Sequence, residues 1–63
     1  MKKQYMMVET GSIDDFEGWV ESTDDTEVSE SGFDTAQEVV ADYIENGQLV
    51  EVVKNERGEW VGV

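Results

Sequence analysis

Fourteen carboxylates lie between Gln4 and Val53, and no lysine or arginine stands among them. The four basic residues, Lys2, Lys3, Lys54 and Arg57, all flank that window. Over the 63 residues there are 16 acids against 4 bases, a formal charge of −12. Carboxylates in such number can bind a cation, shuttle a proton in a pocket, or present a negative field to a basic surface. The first two demand particular geometry. Asp14-Asp15-Phe16-Glu17-Gly18 and Asp24-Asp25 lack the alternating oxygen-ligand spacing, with a glutamate closing the loop, that a dedicated calcium loop needs. Acid/base work by paired carboxylates needs a pocket that drives their pKa values apart, and a chain this short has little room for one.

What is missing narrows the chemistry further. The chain has no histidine and no cysteine. A zinc site of the usual kind, a thiol nucleophile, a histidine general base and a disulfide framework are therefore excluded. The six glycines are scattered, and none forms a phosphate-binding loop. No catalytic residue, metal or cofactor is expected, and the protein reads as non-enzymatic. Direct binding to nucleic acid is not expected either, because phosphates need lysine and arginine to neutralise them. The third use of the acids remains.

The elements that must position those acids can be read from the apolar pattern. Ala36, Val39, Val40, Tyr43 and Ile44 recur at helical spacing and form one stripe. Asp34 with Gln37, or Thr35 with Glu38, can cap the start, and Asn46-Gly47 can end it, which places a helix at about residues 35–46. On that helix Asp34, Glu38 and Asp42 follow one another at four-residue steps and Glu45 lies seven beyond Glu38. Neighbours at that spacing stand about 5–6 Å apart, and each like-charge pair costs about 0.2–0.5 kcal/mol. The stretch before the helix adds Asp14, Asp15, Glu17, Asp24 and Asp25 as a second acidic patch.

Around the helix, residues 4–9 and 16–22 read as strands. The polar run 26–30 reads as a weak edge strand, and 49–54 with 59–63 as a hairpin turning at 55–58. The expected fold is a two-layer α+β domain spanning residues 1–63, in the order β-β-(β)-α-β-β. Its antiparallel sheet has four or five strands, with the single helix on one face. Met6, Val8, Val20, Val50 and Val52 are expected to face the helix. Tyr5, Met7, Trp19, Leu49, Val53 and Trp60 are expected on the uncovered face, where Trp19 and Trp60 could anchor a partner. Leu, Ile, Val and Phe make up 15 of the 63 residues, just above the composition at which high charge predicts disorder. A folded but salt-sensitive domain is expected.

Gly18-Trp19-Val20-Glu21-Ser22, the capped helix start Asp34-Thr35-Ala36-Gln37-Glu38-Val39-Val40 and the run 48–54 carry a likeness. In kind, the sequence resembles small phage-encoded inhibitors: anti-CRISPR proteins, DNA-mimicking antagonists of host nucleic-acid enzymes, and a small inhibitor of bacterial RNA polymerase. The resemblance implies a stoichiometric protein that occupies a basic surface on a larger host machine, in the cytoplasm of the bacterial host.

Two further readings compete with it. The acids can serve solubility alone, as in a domain adapted to high salt. Alternatively, the chain can be a small interaction module whose apolar sheet face binds a subunit or a second copy, which leaves monomer and homodimer both open. No apolar run long enough to cross a membrane is present, and the lack of cysteine fits a cytoplasmic location.

Overall fold

The computed structural model describes residues 2–63. Strands β1 (Gln4–Met7) and β2 (Ile13–Asp15) open the chain. Helices α1 (Phe16–Ser22), α2 (Asp25–Ser31) and α3 (Ala36–Glu45) follow, and strands β3 (Leu49–Lys54) and β4 (Trp60–Gly62) close it. The four strands form one open antiparallel sheet in the order β2-β1-β3-β4. The fold is α+β, as expected, with α3 and the β3–β4 hairpin where the sequence places them.

The segment between Gly11 and Ser31 differs from expectation. Phe16–Ser22 is helix α1, not a strand. The strand of this region is β2, three residues earlier, and it was not anticipated. β2 runs into α1 with no loop between them, because Asp15 is both the last strand residue and the helix N-cap, its carboxylate accepting the Gly18 N–H at 2.7 Å. Phe16, Trp19, Val20 and Thr23, all half-buried, recur at helical spacing and give α1 an inner face. The run 26–30, expected as a weak edge strand, lies in helix α2. Asp24 caps it by accepting the Glu27 N–H at 2.8 Å, and Gly32 ends it in the left-handed region at φ 82°. Three helices, not one, therefore accompany the sheet.

Helix α3 is the hub: it packs on β3 and holds both α1 and α2. Thr35 is its N-cap. The Glu38 N–H donates to Thr35 Oγ1 at 3.3 Å, and the Thr35 hydroxyl donates to Glu38 Oε1 at 3.1 Å, so the cap and the first-turn glutamate are joined side chain to side chain. The fully buried side chains are Val39, Val40, Leu49 and Val52, none more than 3% exposed. Leu49, expected on the uncovered face, is buried instead beside Val40, Tyr43 and Met7. Val8, expected in the core, is 56% exposed because β1 has already ended at Met7. The molecule is drawn out to 40 × 20 × 17 Å, and its 4648 Å² surface exceeds the roughly 4,100 Å² usual for this mass. At the hairpin end of the sheet every residue of β4 is exposed.

Candidate functional site

Charge divides along the chain's architecture. From Glu21 to Glu45 there are nine acids and no base, all on α1, α2, α3 and their connections. Every one except the half-buried Asp42 is exposed. Among the described residues, ion pairs involve only Lys2 and Lys3: Lys2 with Asp15 at 3.7 Å and Glu17 at 3.1 Å, Lys3 with Glu51 at 3.7 Å. The carboxylates of α2 and α3 thus have no counter-charge among the described residues.

Helix electrostatics sharpen this point. A helix favours acids in its first turn and bases in its last, by about 0.3–1 kcal/mol per charge. Each of the three helices has an acid in its first turn, and none has a base in its last. Worse for stability, Glu21, Glu30 and Glu45 stand near the C-terminal ends of α1, α2 and α3, where the helix itself presents negative charge.

The fold also brings acids from different helices together. Burial, then Glu27 of α2, then Asp42 of α3 raise the Tyr43 hydroxyl above the ordinary tyrosine range. The phenol therefore feels carboxylates of two helices at once. Glu27, Thr23, Trp19 and Tyr43 line one small cavity where α1, α2 and α3 meet.

The residues singled out from the sequence fall into distinct roles. Glu38, Asp42 and Glu45 all lie on α3. Glu38 accepts from the Thr35 hydroxyl, and Asp42 Oδ2 accepts from Asn46 Nδ2 at 3.1 Å. Asp34 precedes the Thr35 cap, so the helical line of acids begins at Glu38. Asp24 and Asp25 start α2, where Asp24 is occupied in capping. In the earlier patch Asp14 is an exposed residue of β2, Asp15 caps α1, and Glu17 pairs with Lys2. Those last two are partly neutralised and contribute less to a bare acidic face.

The two tryptophans separate completely. Trp19 is half-buried on α1, its Nε1–H donating to the Tyr5 carbonyl at 3.0 Å, and so it pins α1 to β1. Trp60 is 40% exposed on β4, with Lys54 Nζ 5.4 Å from its ring centre.

What sequence reasoning missed is the contribution of Glu21, Glu27 and Glu30 as helical acids. The signal was present in Asp24 followed three residues later by Glu27, a capping pattern, with Gly32 as the stop. Among the described residues no cluster of acidic side chains is arranged to hold a metal ion, and no helix is long and apolar enough to cross a membrane. No family model, no curated protein and no solved structure matches the chain.

Proposed function

We propose that this protein is a non-enzymatic inhibitor that docks through its acidic helical face onto the basic, nucleic-acid-binding surface of a host protein or complex. A phage or mobile element acting against host defence, or taking over a host machine, is the setting that such an inhibitor suits. The observation that carries the reading is the run of nine acids from Glu21 to Glu45, without an ion-pair partner among the described residues and extending to the unfavourable ends of three helices. Solubility alone does not need acids placed where they cost stability. A row of exposed carboxylates offers to a basic groove the kind of field that a phosphate backbone offers. Association by such a face is fast and salt-dependent, because complementary fields steer the encounter.

The test is affinity capture from bacterial lysate with the tagged protein, washed at low and at high salt. It is paired with a variant in which Glu38, Asp42 and Glu45 are all changed to Lys. The expected result is one nucleic-acid-handling protein that is released at high salt, that loses its DNA or RNA when this chain binds, and that the variant fails to capture. Circular dichroism establishes that the variant is folded. Undiminished capture by a folded triple variant would overturn the proposal.

A further inference from the structure

The opposite end of the molecule supports a separate assignment. We propose that β4 is a self-pairing edge through which two copies of this chain join antiparallel, with Val61 on the two-fold axis and Trp60 of each copy opposite Gly62 of the other.

The register of the sheet fixes which backbone groups of β4 are free. Val53 pairs with Val61, Asn55 N–H donates to the Glu59 carbonyl, and Val63 N–H donates to the Glu51 carbonyl. Alternate residues of a strand direct their N–H and C=O to opposite sides. Glu59, Val61 and Val63 therefore spend theirs on β3, while those of Trp60 and Gly62 point out from the sheet edge. An antiparallel copy centred on Val61 sets Trp60 against Gly62 and Gly62 against Trp60, so all four outward groups on each copy find a partner. Registers centred on Trp60 or on Gly62 do not use both residues in this way.

Gly62 supplies the independent observation. Its φ is not positive, and a Cβ built there meets nothing within 4 Å. Nothing within one copy calls for glycine at a strand position where it weakens the strand. Gly62 is the last residue of β4, and a strand glycine can mark a place where another backbone approaches closely. In the proposed pairing the partner's Trp60 lies on the same sheet face, and its ring covers the bare glycine backbone.

The side chains agree with this arrangement. Val53, Trp60, Val61 and Val63 are 47%, 40%, 39% and 81% exposed; the three valines share one face of the hairpin, and Trp60 lies on the other. Directly opposite residues share a face, so Val53 and Val61 of both copies would form one continuous valine row. The other edge strand, β2, is guarded by the exposed Asp14, by Asp15 and by its run into α1, whereas β4 carries no charged residue of its own and has only Glu59 beside it. Charge permits the contact as well. Lys2, Lys3 and Lys54 line the groove beside Trp60, and the nine uncompensated acids lie on the helices. Joining two copies here leaves both acidic faces free.

The chain's lack of cysteine makes the test direct. A non-hydrogen-bonded antiparallel pair has its Cα atoms about 4.5 Å apart, within the disulfide range of about 4.4–6.8 Å. Val61→Cys is expected to form a disulfide dimer under mild oxidation, about tenfold faster than Val53→Cys at equal concentration. Residue 53 is the control because three strand spacings, about 14 Å, separate it from its counterpart. Sedimentation of the unmodified chain is expected to show dimer increasing with concentration and with salt, which screens the repulsion between two strongly acidic copies. Gly62→Val is expected to weaken that dimer, because its side chain takes the place of the partner's Trp60 ring, while the monomer keeps its circular dichroism and loses no melting temperature. Equal cross-linking at positions 61 and 53, or unchanged dimerisation of Gly62→Val, would overturn the assignment. A monomer at every concentration in high salt would also overturn it and leave the edge to a foreign strand.

Discussion

The carboxylate of Asp14, on β2, occupies the space that a side chain at Gly18, on α1, would need. This contact is the cost of running a strand into a helix with no loop, and it explains a glycine inside a seven-residue helix. Alanine at position 18 would raise helix propensity by about 1 kcal/mol. It would also push the Asp14 carboxylate off the Asp15 N–H, which it accepts at 2.8 Å, a bond worth about 0.5–1.5 kcal/mol. Gly18→Ala is therefore expected to be close to neutral in the parent and stabilising by about 1 kcal/mol in an Asp14→Ala background. Urea denaturation of the two single variants and the double variant measures that coupling. Strict additivity would show that Asp14 does not constrain the helix.

The two tryptophans should respond oppositely to removal. Trp19 joins α1 to the Tyr5 carbonyl and is half-buried, so Trp19→Ala is expected to cost about 2–4 kcal/mol, somewhat below the value for a fully buried aromatic. A domain of this size has little more than that to lose. Trp60→Ala on the exposed hairpin is expected to change monomer stability by about 0.5 kcal/mol or less. Thermal melts of both variants at low concentration separate the roles, and equal losses would contradict the burial difference.

How much of this was legible in the sequence depends on how much apolar periodicity each segment carried. Helix α3 was readable because five apolar residues mark one stripe and both caps are explicit. The β3–β4 hairpin was readable because β-branched residues flank a polar turn containing Gly58. Helix α1 was misread because Phe16, Trp19 and Val20 favour strands as isolated residues. Gly18 also lowers helix propensity, and the reason for Gly18 is a tertiary contact with Asp14 that no local pattern contains. Helix α2 has Val28 as its sole large apolar residue, so its evidence lay in capping alone. At the acidic face the excess of charge was plain from composition. Its convergence around Tyr43 required knowing that α2 exists.

That convergence sets the alkaline behaviour of the fold. The folded chain keeps the Tyr43 proton at pH values where the unfolded chain loses it, because burial and the fields of Glu27 and Asp42 oppose the phenolate. Above about pH 10 the unfolded state binds fewer protons than the folded one, so stability falls as pH rises through the folded pKa; below pH 10 this contribution is constant. Absorbance at the phenolate band is expected to show a late-titrating component that Tyr43→Phe removes and that Glu27→Gln moves to lower pH. A profile unchanged by Glu27→Gln would mean that α2 does not stand against Tyr43.

Acids at the C-terminal ends of helices make the sharpest stability prediction, because it runs against the usual destabilising effect of mutation. Glu21, Glu30 and Glu45 are exposed and lie outside every ion pair among the described residues. Changing any one to Lys removes an unfavourable helix-dipole interaction and adds a favourable one, so each is expected to stabilise the fold by about 0.6–2 kcal/mol at low salt. Residues on separate helices should combine nearly additively. Added salt should stabilise the parent more than the triple variant and so shrink the gap between them, since screening relieves the same repulsion. Denaturation midpoints of the parent and the triple Lys variant across a salt series decide the matter. A gap that stays constant with salt would assign the effect to helix propensity and not to charge. A gap that closes would show that the charge of these three acids, at the C-terminal ends of their helices, weakens the fold.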